Sequence, residues 1–288
     1  MKSMIKIVLL ATVFSLSSLV SANGVTDAST PVMKKVVEGV YEYHQYHYGS
    51  LVVVTDEGVI ITDPSREPRA SQLRAEIRKL TNKPVVKVIY SHDHFDHSRG
   101  GQIFKDEGAE FIAQENCVEL LSRDLKNKVI PADITYKDNM SISLGGKQID
   151  LHYYGPNDGN CMSIIHMPKE KILLAVDWHL PGYVNETYRL PAHNYVGVLN
   201  TLERVHKELD FEHVISGHTQ ESSVEALEED YRFNKALFNA VWKGMQAGKS
   251  TEELKKTVKL PEFSHWYKYK DNLPGHVERM AYSIWHGN

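Results

Sequence analysis

Six consecutive residues constrain this chain most: His92-Asp93-His94-Phe95-Asp96-His97. They follow Val85 to Tyr90, a short and mostly apolar run that reads as a buried strand. Four metal-competent side chains, His92, His94, Asp96 and His97, therefore sit directly past a strand end. On an extended stretch, residues two apart point the same way, so His92 and His94 can share one metal. Asp96 and His97 lie around the next turn and can serve a second. Imidazole plus carboxylate suits zinc, with iron as the other candidate. A solvated loop would not be expected to concentrate such side chains directly after an apolar strand.

Two other apolar runs end the same way. Ile172 to Val176 stops at Asp177-Trp178-His179, and His213 to Ser216 stops at Gly217-His218-Thr219. Strands of one sheet can deliver their terminal residues to one edge, and rigid elements suit a metal centre. Asp177 and His218 are read as further ligands on that ground. His179 is read either as a support behind the ligands or as a substrate contact.

The surrounding pattern is layered α/β. Residues 35–62 read as strands, with a hairpin at Asp56-Glu57-Gly58. Arg66 to Thr81 reads as a helix with Leu73, Ile77 and Leu80 on one stripe. Residues 102–127 read as helical, Ile142 to Tyr154 and Ser163 to Asp177 as strands, 195–209 as a helix and His213 to Ser216 as a strand. Past residue 220 the pattern is helical. It carries a stripe from Val224 to Met245, a capping-box pair at Ser250 and Glu253, and a final helix around Val277, Met280 and Ile284. Residues 23–220 are thus expected to form the catalytic unit, and 221–288 a helical extension packed on it.

Residues 1–22 read as a secretory signal peptide: Lys2 and Lys6, an apolar run from Ile7 to Val20, and small residues at Val20-Ser21-Ala22. Its removal would leave 31 basic against 37 acidic side chains, changing the formal charge from −4 to −6. A periplasmic or secreted protein without a stable membrane anchor is the expectation. That balance excludes a broad basic face, so a small-molecule substrate is expected and nucleic acid is not. The sequence leaves the oligomeric state open. The two cysteines, Cys117 and Cys161, exclude a tetracysteine zinc site and are read as buried thiols, although an oxidising compartment allows them to pair.

The motif at His92 to His97 resembles the HxHxDH signature of the metallo-β-lactamase superfamily. The resemblance spans roughly residues 35–220. Asp63-Pro64 is similar to the family's DTG-type turn, Asp177 to its metal-bridging aspartate, and His218 in Ser216-Gly217-His218-Thr219 to its last histidine ligand. The resemblance implies a four-layer αββα sandwich with its site at one edge, between two sheets. It also implies that His92 and His94 hold one zinc, that Asp96, His97 and His218 hold a second, and that Asp177 bridges them. The family's remaining histidine has no counterpart here. Asp158 stands where it would fall, within Gly155-Pro156-Asn157-Asp158-Gly159-Asn160. A carboxylate binds zinc at about the distance imidazole does, but Asn-Asp-Gly is also strong turn chemistry, so both roles stay open. His152 and Cys161 are outside candidates, and a single metal is the outcome if none substitutes.

Such a site supports hydrolysis. Zinc brings the pKa of a coordinated water to about 7, which makes hydroxide available to attack an ester, lactone, amide or thioester carbonyl. Asp96 is expected to orient that nucleophile. The aromatic segment Tyr41 to Tyr48 reads as a strand with one face on the core; the resemblance, which sets the early hairpin near the mouth of the site, implies Tyr46, His47 and Tyr48 as candidates for substrate contact. The substrate itself is not legible, with a β-lactam or lactone favoured by the expected address. Two other classes remain: a mononuclear iron oxygenase on the same fold, which iron content would reveal, and a non-catalytic metal- or ligand-binding protein, which would hold metal without turnover.

Overall fold

Two sheets face each other across an apolar interior, and each is built from runs the chain lays down in order. The computed structural model describes residues 28–187, 190, 192–219 and 222–287; the expected signal peptide, 1–22, lies outside the described residues. β1 (Val32–Val37), β2 (Val40–Gln45), β3 (Tyr48–Thr55) and β4 (Gly58–Thr62) pair antiparallel, each with the next. α1 (Glu67–Leu80) then crosses over, and β5 (Val85–Ile89), β6 (Glu110–Gln114) and β7 (Ile134–Tyr136) add in parallel to complete a seven-stranded sheet in sequence order. The second sheet holds β8 (Asn139–Leu144), β9 (Lys147–Tyr153), β10 (Ser163–Met167), β11 (Ile172–Ala175) and β12 (His213–Ser216), in the order β12-β11-β10-β9-β8. Its β11–β12 pair is parallel because α5 (Tyr195–Glu208) carries the chain back between them.

The layers follow from which faces are apolar. Val53, Ile60, Ile89 and Ile112 of the first sheet pack against Leu151, Ile165, Leu174 and Ile215 of the second. On the outer face of the first sheet, Leu73 and Ile77 of α1 cover Val52, Ile61 and Val88. On the outer face of the second, Val198, Leu202 and Val205 of α5 cover Ile164, Leu173 and Ala175. Helix, sheet, sheet, helix is the expected αββα sandwich.

The C-terminal helices are α6 (Val224–Gln246), α7 (Thr251–Thr257) and α8 (Tyr269–His286). Leu227 of α6 joins Trp178 and Val198 under the second sheet, while Phe233, Leu237, Val241 and Met280 enclose a separate core that reaches Val184 and Tyr195. The extension is therefore packed on the sandwich. The capping box at Ser250 and Glu253 opens α7 as its spacing implied. No helix of the described residues is long and apolar enough to cross a membrane.

Three local expectations are corrected. Residues 102–127 are not one helix: α3 (Gln102–Lys105) is a single turn, β6 follows, and α4 (Cys117–Ser122) comes after it. β6 lies between β5 and β7, with Phe111, Ile112 and Ala113 all buried. A strand covered on both faces loses the alternation that would have marked it. Residues 142–154 hold a hairpin, turned by Gly145 and Gly146 at φ 51° and 80°. Cys117 and Cys161 are not free thiols but a disulfide, with Cα atoms 5.2 Å apart. It ties the start of α4 to the loop that follows Asp158, a proximity that 44 residues of separation hid from the sequence.

Candidate metal centre

Strand ends deliver the site. β4 runs into Asp63, β5 into Ser91 and His92, β11 into Asp177, and β12 into His218. Asp63 Oδ1 accepts the Ser91 amide proton at 2.8 Å and so locks the end of β4 to the start of the histidine motif. The Asp63 turn is backed by Arg69, fully buried, which donates to the carbonyls of Tyr43 (3.2 Å), Tyr48 (2.9 Å) and Asp63 (3.3 Å). Burial pushes the Arg69 guanidinium down to about 10, which still leaves it charged at neutral pH. α2 (Phe95–Ser98) is the turn that swings Asp96 and His97 around from His92 and His94.

The ligand-type atoms form two groups: His92, His94, Asp158 and Asp177, and then Asp96, His97 and His218; within each group the atoms lie within 4.8 Å of one another. Asp177 reaches both. Its Oδ2 lies 3.4 Å from His92 Nε2 and 3.9 Å from His94 Nδ1; its Oδ1 lies 3.4 Å from His97 Nε2 and 3.0 Å from His218 Nε2. Asp158 Oδ2 lies 3.5 Å from His94 Nδ1. Asp177 holds a left-handed backbone, φ 61°, at the end of its strand, an uncommon state for a residue with a Cβ that marks a locally strained turn.

Two of the outward ring nitrogens are hydrogen-bonded, and the third faces a carboxylate. His92 Nδ1 meets Ser91 Oγ at 2.8 Å, His97 Nδ1 faces Asp63 Oδ2 at 3.5 Å, and His218 Nδ1 meets the His47 carbonyl at 2.8 Å. Each therefore turns Nε2 inward, and the Nε2 atoms of His97 and His218 come within 3.2 Å of each other. Such backing is how proteins fix the tautomer of a metal-binding histidine. Two inward atoms, His92 Nε2 and Asp177 Oδ1, are buried without a hydrogen-bond partner. Convergent imidazole nitrogens, shared carboxylates and buried orphan atoms fit a metal ion, and fit zinc by donor type.

The electrostatics follow from this crowding. Burial disfavours the charged forms of His94 and His218, but the Asp177 carboxylate beside both, with Asp158 beside His94, outweighs it and raises each to about 9. Burial would raise the Asp177 carboxyl; the His218 and His97 imidazoles reverse this and hold it well below the usual range.

Other sequence candidates fall differently. His179 is buried, and both its ring nitrogens are taken, Nδ1 by Asp230 Oδ2 (3.0 Å) and Nε2 by Ser222 Oγ (3.0 Å), so it is not available to a substrate as the sequence suggested. Tyr46 and His47 form the two-residue turn between β2 and β3 at φ 53° and 66°, and the visible role of His47 is through its backbone carbonyl. The neighbouring Tyr48 packs its ring 5.4 Å from His97 and 5.2 Å from His218. His152 bonds Asn139 instead of entering the site, and Cys161 is used by the disulfide. His193, which no sequence motif marks, places its Nδ1 3.2 Å from Asp158 Oδ1. It is one of 15 histidines and lies 35 residues from its partner, with no motif around it.

Comparison with known proteins agrees with this geometry. Residues 48–230 match the profile of the metallo-beta-lactamase superfamily. The chain is 27% identical over 205 residues to the 2,4-dinitroanisole O-demethylase subunit alpha of Nocardioides sp., covering 70% of this chain and 61% of that one. It is 25% identical over 223 residues to metallo-beta-lactamase type 2 of Elizabethkingia meningoseptica, covering 70% of this chain and 86% of the relative. Among solved structures, a sec-alkylsulfatase of Pseudomonas sp. superposes with a TM-score of 0.74 at 16% identity, over 87% of this chain and 50% of that one. A metallo-beta-lactamase from Pontibacter korlensis gives 0.64 at 17% identity, over 72% and 99%. The chain thus spans between half and two-thirds of the length of two of these relatives. With the profile covering well over half of the sequence and the histidine motif at its centre, this chain belongs to the metallo-beta-lactamase superfamily.

Proposed function

We propose that the protein is an exported, zinc-dependent hydrolase with about two ions per chain. One observation carries the reading: the two oxygens of Asp177 face two separate groups of ligand-type side chains. His92, His94 and Asp158 would hold one ion, and Asp96, His97 and His218 the other, with Asp177 shared. Zinc bound there supplies hydroxide at neutral pH and positive charge for the oxygen that becomes negative as the carbonyl is attacked.

The chain's own residues do the rest. Ser91, Asp63 and the His47 carbonyl hold the rings in one orientation. Burial would raise the Asp96 carboxyl, but the adjacent imidazoles, His97 first, keep it below its ordinary value, so it is a carboxylate that can accept a proton from the attacking water and aim it. Tyr46, 36% exposed, would be a substrate contact on this reading; what supports it is the neighbouring His47, whose carbonyl meets His218.

Export is supported by the N-terminal pattern and by the Cys117–Cys161 disulfide, a bond rare in reducing compartments. Relatives are named for a β-lactamase, an O-demethylase and a sulfatase, so their names do not select one bond. The exported setting favours a β-lactam or lactone. The test is a panel of β-lactams, lactones, carboxylic esters, thioesters and sulfate esters, incubated with the purified protein before chelation, after it, and after zinc is restored. Hydrolysis that disappears and returns supports the reading. Turnover that needs iron and dioxygen overturns it, as does metal binding with no turnover on any member.

A further inference from the structure

A cavity of about 430 Å³ opens beside Asp96. In a chain of net charge −4, four cations face it, Arg66, Arg99, Lys126 and Lys128, against two carboxylates, Glu67 and Asp96. Their pairings leave a surplus. Arg99 is held by Asp124, with its Nε 3.1 Å from Oδ1, and Lys128 Nζ meets Glu67 at 3.0 Å. Lys126 forms no ion pair among the described residues. The partner of Arg66 is neutral: its Nη2 donates to the Tyr48 hydroxyl at 2.5 Å, and its guanidinium lies 4.9 Å from the centre of that ring.

Arg66 is also firmly placed. Asp63, Ser65 and Arg66 hold left-handed backbones at φ 41°, 57° and 63°, three strained residues within four. The Ser65 amide donates to the His97 carbonyl (2.9 Å) and the Arg66 amide to the Arg99 carbonyl (2.8 Å). A methyl group on Gly100 would fall 2.5 Å from the Arg66 carbonyl carbon, so the two segments touch at backbone distance. The cavity adjoins the candidate metal centre: Asp96 belongs to both, and the Tyr48 ring contacts Arg66 as well as the rings of His97 and His218.

We propose that this cavity seats an oxyanion carried by the substrate, held by Arg66, Lys126 and Lys128 while the scissile bond faces Asp96. The proposal rests on the hydrolase reading and narrows its substrate class to esters, lactones or amides that carry a carboxylate, sulfate or phosphate. Arg66 offers a planar fork for such a group, and the two lysines offer mobile point charges. A cleft with a surplus of positive charge also draws an anionic substrate in faster than a neutral one.

The test is calorimetric titration of the full-length, zinc-replete protein at fixed ionic strength with phenyl phosphate, phenyl sulfate and benzoate, and with neutral benzamide. The proposal expects at least one anion to bind about tenfold more tightly than benzamide, and the ranking of the three shows which oxyanion the cavity prefers. Arg66→Gln, and separately Lys126→Gln with Lys128→Gln, should each weaken that anion by about three- to tenfold and leave benzamide unchanged. The lysine pair is exposed, so its variant keeps the test independent of folding. In parallel, the lysine variant should raise KM for the 4-nitrophenyl monoester of succinic acid and not for 4-nitrophenyl acetate. Equal binding of anions and benzamide, or anion affinity unchanged in both variants, overturns the anion seat. Anion binding lost in the variants, in a protein that hydrolyses neither ester, supports the seat and counts against the hydrolase reading alone.

Discussion

His193 Nδ1 lies 3.2 Å from one oxygen of Asp158, and the other oxygen of the same carboxylate lies 3.5 Å from His94 Nδ1. Asp158 is therefore not a turn residue pointing to solvent. It is buried, pinned by His193 across an isolated β-bridge, and presented to the His92–His94 group. The position where the superfamily's histidine is missing holds a carboxylate backed by a histidine, which reverses the usual order of ligand and support.

That relationship predicts two distinct phenotypes. Asp158→Ala should reduce bound zinc from about two ions to about one. His193→Ala keeps the carboxylate but loosens it, and should weaken one of the two sites by about 10- to 100-fold. Metal content after dialysis and zinc competition with a chromophoric chelator separate the two effects.

Gly217 is the contact that lets β12 approach Asp177. A Cβ there would lie 2.8 Å from Val176 Cγ1 and 3.1 Å from Asp177 Oδ1. Gly217→Ala should cost about 1–3 kcal/mol through overpacking and should lower zinc affinity more than a matched surface substitution does. Thermal unfolding with and without zinc reads both, and an unchanged zinc-induced shift in Tm would count against this role.

The candidate metal centre was legible in the sequence because its ligand-type residues stand at strand ends next to one another or at the close of apolar runs. His92, His94, Asp96, His97, Asp177 and His218 all come together as the two groups. What the sequence hid depends on chain-distant contacts. His193 meets Asp158 through a bridge between two loops, and Cys117 meets Cys161 between α4 and the Asp158 loop. His179 stands right after Asp177, yet the fold turns it toward Asp230 on α6, a partner 51 residues on. β6 was hidden for another reason: Phe111 to Ala113 is a short apolar run, and periodicity alone does not separate a buried strand from a helix.

The disulfide fixes the far end of the Asp158 loop, three residues past the carboxylate. Replacing both Cys117 and Cys161 with alanine should destabilise the protein by about 2–4 kcal/mol, the usual range for a bond closing a loop of this kind. Denaturant unfolding measures this. The same variant should release zinc faster to a chelator than the parent does.

Asp124 is expected to give the fold an acid limit. It is buried and accepts from Arg99 and from the amides of Lys126 (3.0 Å), Lys128 (2.7 Å) and Val129 (3.1 Å). The Arg99 guanidinium, then these amides, hold its carboxyl well below the ordinary 3.8, outweighing the effect of burial. A carboxyl depressed in the folded state stabilises it above the unfolded value and ceases to do so as pH falls through the folded value. The contribution is thus complete above about pH 4 and declines below it. Asp124→Asn should cost about 2 kcal/mol at neutral pH, by the loss of charge-assisted hydrogen bonds, and should flatten the stability profile below pH 4. Urea midpoints recorded across that range test it.

The centre itself is tested most directly by elemental mass spectrometry on the purified chain, which gives the identity and number of bound metals. About two zinc ions per chain are expected, falling to about one in Asp158→Ala and to near zero in Asp177→Ala. A single iron, or no tightly held metal in protein prepared without chelator, would contradict that expectation.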